Sequence, residues 1–134
     1  MSESNKKSVE VVAAYIEKEG KVYVAKRAYG ELKGKWEFPG GKVKEGETKE
    51  MALIREIKEE LNSEIEVLGL LAHIDYEYPS FFLRMDLYRC RLLSGELHIE
   101  EGIHLQGGFF AKAELPLLDW CPADIELVRR LAKE

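Results

Sequence analysis

Glu56, Glu59 and Glu60 stand at spacings that an α-helix would gather onto one side, and clustered carboxylates suit a hard, oxygen-preferring divalent cation. At roughly 100° per residue and with Met51 as zero, they fall at roughly 80° (Glu59), 140° (Glu56) and 180° (Glu60). Leu53, Ile57, Leu61 and Ile54 fall at roughly 200° to 300° and form an apolar face beside them. Like charges four residues apart, such as Glu56 and Glu60, repel by a few tenths of a kcal/mol. Arg55, at roughly 40°, offsets part of that repulsion, and a cation such as Mg²⁺ offsets it better. Alone, the run Arg55-Glu56-Ile57-Lys58-Glu59-Glu60 reads as a solvated helix face. Its company changes the reading. Pro39-Gly40-Gly41-Lys42 precedes it, a loop whose glycines let backbone approach a ligand closely, with Gly46-Glu47 between the two.

These groups need elements to hold them. Val9 to Ile16 and Val22 to Ala25 read as a hairpin turned at Glu17 to Lys21. Trp36 to Phe38 is a short apolar piece stopped by Pro39-Gly40-Gly41. Lys49 to Leu61 is rich in helix formers and free of Gly and Pro. Ile65 to Tyr78 and Phe81 to Leu93 read as two longer strands joined at Pro79-Ser80, and Gly108 to Ala111 as a short one. Ile125, Val128, Leu131 and Ala132 recur at helical spacing, predicting a helix over Asp124 to Ala132. Strands, helix, strands, helix predicts an α+β fold, an α/β/α sandwich around a mixed sheet. Met51 and the two tryptophans are assigned to the core.

At 134 residues, without repeats or linkers, the chain reads as a single domain over 1–134, with residues 1–7 expected to be flexible. A net charge of −5 disfavours a nucleic-acid polymer as partner, because backbone binding needs surplus Lys and Arg. The polar N-terminus, the lack of a run of about 20 apolar residues and only two cysteines predict a soluble cytoplasmic protein.

Gly41, five residues, Glu47, seven residues and then Arg55-Glu56-Ile57-Lys58-Glu59-Glu60 resemble the signature of the Nudix hydrolases, a loop–helix–loop metal site. Trp36-Glu37-Phe38-Pro39-Gly40-Gly41-Lys42 is similar to the lead-in of the MutT-like branch. Leu118-Asp119-Trp120-Cys121-Pro122-Ala123-Asp124-Ile125 is similar to the base-pocket segment of CTP pyrophosphohydrolase-type members. The resemblance covers about residues 9 to 131.

It implies an enzyme with Mg²⁺, or alternatively Mn²⁺, that converts a nucleoside triphosphate to the monophosphate and pyrophosphate, on cytidine or on oxidised nucleotides such as 8-oxo-dGTP. The resemblance places Glu56, Glu59, Glu60 and the Gly40 carbonyl around the metal, with Glu56 also a candidate general base. Glu47 and Arg55 are organisers of the helix carboxylates, and Lys42 is a candidate phosphate contact. The resemblance also implies that Arg27, Phe38 and Asp124 lie near the base, with Tyr78 and Leu83 as further candidates for the same pocket. Residue chemistry leaves alternatives open: Arg27 pairing with a surface acid, Phe38 as plain core, Asp124 as the N-cap of the last helix. His73 and His104 read as ordinary hydrogen-bonded histidines.

The pattern departs in two places. Asn62 and Ser63 stand where the family has Gly and an aliphatic residue; Asn tolerates the left-handed turn. Aligning Phe109 with a strand aromatic puts His104 in place but Ile103 where many relatives carry a glutamate, so Glu100 or Glu101 must reach in or the role is unfilled. The competing readings are an ADP-ribose or dinucleotide hydrolase and a silent nucleotide-sensing module. The molecule is expected to be a monomer or homodimer without membrane contact.

Overall fold

A computed structural model describes residues 6–133. Of the N-terminal stretch expected to be flexible, residues 1–5 lie outside the described residues. Lys7 instead begins a strand, because it pairs with Phe81.

The chain runs β1 (Lys7–Lys18), β2 (Lys21–Arg27), β3 (Trp36–Glu37), β4 (Gly40–Lys42), α1 (Lys49–Leu61), β5 (Glu64–Glu77), β6 (Phe81–Ser94), β7 (His104–Ala111), a 3₁₀ turn (Lys112–Leu117) and α2 (Pro122–Leu131). The sheet order is β3-β2-β1-β6-β5, with β4 added against β1 and β7 against β2. The β1–β2 hairpin closes on Glu19 (φ 54°) and Gly20 (φ 78°), both left-handed, the geometry that matches the twist of two antiparallel strands. β1 then forks. Val11, Val12 and Ala13 pair with Lys42, Gly41 and Gly40 on one side, while Lys7 to Ile16 run parallel to Phe81 to Cys90 on the other. The sheet is therefore mixed, as the sequence predicts.

Period-two alternation along β1 sends Val12, Ala14 and Ile16 to one face and Ala13 and Tyr15 to the other, and each face has its own core. The first packs against Ala52, Leu53, Ile57 and Leu61 of α1; the second packs against Ala123, Leu127 and Val128 of α2. The result is the expected α/β/α sandwich.

Helix α1 matches its predicted bounds. Thr48 caps it, accepting from Met51 N at 3.1 Å, and Asn62 ends it in a left-handed turn (φ 49°). Two core assignments fail. Met51 is 57% exposed and Ile54 42% exposed, because the face covered by the sheet is the narrower one of Ala52, Leu53, Ile57 and Leu61. Trp36 and Trp120 are buried as expected. Ser63 is also buried: its hydroxyl donates to Leu61 O (3.0 Å) and accepts from Leu97 N (2.8 Å), so the polar residue fastens the helix end to the segment after β6. Among the described residues no helix is long and apolar enough to cross a membrane.

Candidate active site

Pairing of β4 with β1 fixes the glycine loop. A Cβ on Gly40 would fall 2.0 Å from Val12 O, and one on Gly41 would fall 2.0 Å from Glu56 Oε2. Both positions therefore require glycine for close approach, Gly40 to the strand and Gly41 to the helix carboxylate. Gly40, Gly41, Glu56 and Glu60 all line one cavity of about 630 Å³, within the range of small-molecule sites.

Arg55 organises the helix side. Its Nε donates to Glu47 Oε2 at 2.6 Å and its NH2 to Glu47 Oε1 at 2.9 Å. The same NH2 reaches Lys42 O at 3.1 Å, and NH1 lies 3.3 Å from Glu56 and 3.1 Å from Glu59. Glu47 Oε1 also accepts from Lys44 N at 2.9 Å. One forked Arg–carboxylate pair thus ties loop, strand β4 and helix together. The hydrogen bonds from Arg55 hold the Glu47 carboxyl down at about 2.

Deeper in, the balance reverses. Burial pushes the Glu60 carboxyl up to about 8, with the negative charges of Glu56 and Glu37 adding to it. Burial also raises the Glu56 carboxyl, against the pull of Arg55. Glu59 is exposed, held by Arg55 and not part of the cavity wall. Among the described residues, no three His, Cys, Asp or Glu side chains converge into a metal cage as they stand.

Asp124 lies at the other end of the cavity. It is buried and its Oδ2 accepts from Phe38 N at 2.9 Å. It is not the N-cap of α2; Cys121 takes that position, followed by Pro122 at the first turn. Burial, opposed by the Phe38 hydrogen bond and supplemented by the charge of Glu37, pushes its carboxyl up to about 8. Phe38 is both core and wall: 3% exposed, stacked on Trp120 with centroids 5.0 Å apart, and bordering the cavity. Tyr78, stacked on Phe81 at 4.9 Å, and Leu83 border it too. Arg27 does find an acid, but a cavity one: its Nε is 3.8 Å from Glu37, and its NH2 donates to Tyr29 OH at 3.2 Å.

Lys42, the candidate phosphate contact, lines the cavity, whereas Glu101 does not. Glu101 is exposed in the turn before β7, where Glu100 O accepts from the amides of Ile103 and His104. That turn presents the Ile103 side chain to the cavity instead. His104 is buried, its Nε2 3.3 Å from Glu37 and its Nδ1 without a hydrogen-bond partner. His73 bridges Asp86 and Asp75 away from the site, as an ordinary hydrogen-bonded residue.

Sequence reasoning passed over Glu37, Tyr29, Lys44 and Cys121, all of which line the cavity. For Glu37 a signal existed. It stands between two aromatics, Trp36 and Phe38, that alternation sends to the core, so it must point the other way.

The model of the NUDIX domain matches residues 6–131. Over 123 residues the chain is 35% identical to the CTP pyrophosphohydrolase of Escherichia coli K12, covering 91% of this chain and 90% of that protein. It is 38% identical over 125 residues to a putative 8-oxo-dGTP diphosphatase 2 of Mycobacterium tuberculosis, covering 92% and 87%. The solution structure of the E. coli ORF135 protein superposes with a TM-score of 0.82 at 32% identity, covering 97% of this chain and 92% of that one. A MutT NUDIX hydrolase crystal structure from Burkholderia pseudomallei superposes at 0.84 with 29% identity, covering 92% and 98%.

Proposed function

The chain belongs to the NUDIX domain family, and from that premise we propose that it hydrolyses nucleoside triphosphates to monophosphates and pyrophosphate with Mg²⁺, Mn²⁺ serving as a substitute. The substrates are cytidine or oxidised nucleotides, the chemistry named for its CTP pyrophosphohydrolase and 8-oxo-dGTP diphosphatase relatives. The observation that carries the reading is that Glu56 and Glu60 open into the same cavity as the buried Asp124. One bound molecule can thus meet both a carboxylate cluster and a hydrogen-bonding pocket. Both cysteines are free and buried, which fits a reducing compartment such as the cytoplasm.

Nudix hydrolases need a divalent metal ion, and the donors here fit one. Burial makes Glu60 and Glu56 resist ionisation, and Glu60 also sits beside the like charges of Glu56 and Glu37, a surplus that a hard cation relieves. Glu56, Glu59, Glu60 and the Gly40 carbonyl would hold it, Glu59 turning in from Arg55. When bound, the ion neutralises charge on the polyphosphate.

Hydrolysis of a phosphoric anhydride needs positioning and charge stabilisation more than covalent help. In this reading Glu56 is the general base, its carboxylate taking a proton from the attacking water. Arg55 is a positioning residue that orients Glu56 and Glu59, and Glu47 locks Arg55. Lys42 contacts phosphate. Phe38 and Tyr78 flank the base, Arg27 and Asp124 supply its polar contacts, and an amino group such as that of cytosine would donate to Asp124. Ile103 facing the cavity where a glutamate is expected favours, as a second reading, a silent binding module.

A panel of ribo- and deoxynucleoside triphosphates, 8-oxo-dGTP, ADP-ribose and dinucleotide polyphosphates, assayed with Mg²⁺ for monophosphate and pyrophosphate release, separates these readings. CTP or 8-oxo-dGTP should turn over, and Glu60→Gln should lose on the order of 10²-fold or more, since metal-assisted charge stabilisation amounts to several kcal/mol. No turnover of any compound sinks the enzyme; full activity in both Glu59→Gln and Glu60→Gln sinks the metal assignment.

A further inference from the structure

This inference rests on the reading above, in which the cavity takes a nucleoside polyphosphate. The cavity has a direction, and the segment Phe38 to Lys44 measures it. At one end Phe38 N donates to Asp124 at 2.9 Å. In the middle Gly41 lies directly against the Glu56 carboxylate. At the other end stand Lys42 and Lys44, at most about 20 Å from Phe38.

The cations along this path are unequally committed. Arg55 is taken by Glu47, Glu56 and Glu59, and Arg27 by Glu37 and Tyr29. Among the described residues, Lys42 and Lys44 make no ion pair. Val43, partly buried, packs against the core under α1, while Lys42 and Lys44 line the cavity. Their backbones are pinned by the same pair, Lys42 O by Arg55 and Lys44 N by Glu47. Both lysines thus line the cavity from a backbone held by hydrogen bonds, on the Glu56 side of the segment.

We propose that Lys44 receives the far end of the phosphate chain, with Lys42 beside it, and so holds the pyrophosphate that leaves. Lys44 then determines specificity for phosphate-chain length. A base anchored at Asp124 brings a triphosphate to these lysines, and a monophosphate falls short of them. The site recognises the terminal pair of phosphates whatever base is attached.

Calorimetry with inorganic pyrophosphate and, separately, with CMP and dGMP, all in Mg²⁺, tests this on the wild type, Lys44→Gln and Lys21→Gln. The last removes the same charge from the exposed hairpin, outside the cavity. Loss of one charge-assisted contact should weaken pyrophosphate binding by Lys44→Gln about five- to twentyfold, with monophosphate binding within about twofold of wild type and Lys21→Gln unchanged. Unaltered pyrophosphate binding in Lys44→Gln, or equal weakening in Lys21→Gln or toward monophosphates, overturns the assignment. Absence of turnover in the wild type would instead overturn the hydrolase reading, and the pyrophosphate titration would still decide the role of Lys44.

Discussion

Asp124 illustrates how a single carboxyl can be read two ways from sequence. At the start of a helix it reads equally as a cap or as a hydrogen-bond acceptor. Pro122, favoured at the first helical position, was the signal that put the cap one residue earlier, at Cys121. Asp124 then falls in the first turn, side chain inward, against Phe38 N. The cost of ionising it there has a measurable sign. Its ordinary value is 3.8 and in the fold it is pushed up to about 8, by burial first and by Glu37 against the Phe38 bond. Below 3.8 both folded and unfolded chains hold the proton. Above it the unfolded chain releases the proton first, so stability falls as pH rises toward 8 and then levels. Asp124→Asn, whose carbonyl can still accept from Phe38 N, should flatten that fall and be more stable than wild type at pH 8. Urea unfolding at intervals from pH 4.5 to 8.5 measures both slopes; parallel slopes would show that Asp124 ionises freely.

At the scale of elements, α1 was legible to the residue because its signals are local: Thr48 before it, helix formers within, and Asn62 after it. Which side it buries was only partly legible. Ile54 and Met51 look like core on composition, but burial is decided by the width of sheet that covers the helix. Strand β4 was missed for a physical reason. Gly-Gly punctuates a turn in isolation, and only the partner strand β1 shows that these glycines are extended and need room, not a bend. Ser63, odd against an aliphatic expectation, is explained by a partner, Leu97 N, more than 30 residues away. The contact between Gly41 and Glu56 yields a test of how tightly loop and helix are registered. Gly41→Ala places a methyl where the carboxylate now sits, so Glu56 must swing away while the buried cores stay as they are. Activity should fall by about tenfold to a hundredfold, as for loss of the groups that orient metal ligands. The thermal midpoint should move little. A large drop in midpoint with proportionate activity would mean that the loop, not Glu56, gave way.

For the whole molecule, the sandwich and its mixed sheet followed from element order, but the wiring did not. The parallel pairing of β1 with β6 joins positions 74 apart, such as Lys7 and Phe81, and carries no local mark in the sequence. The same holds for the meeting of Phe38 with Asp124 across the molecule. Because β1 is shared by β2, β4 and β6 and feeds both cores, amides of Val12 to Ile16 should exchange with solvent only through global opening. Those of the β2–β3 connection, residues 28–35, should exchange far sooner. Native-state hydrogen exchange measures this, and equal protection in both regions would contradict it.

The fork in β1 also sets the order in which the molecule can come into being. On synthesis, β1, the glycine strand and α1 are all made before β6 exists, and distant strand pairing is slow to form. Until β6 arrives, β1 lacks its parallel partner along most of its length. A nascent chain halted before residue 81 would therefore carry every one of the helix carboxylates and still have no working cleft. Competence arrives later still, when α2 brings Asp124 against Phe38 and closes the far end of the cavity.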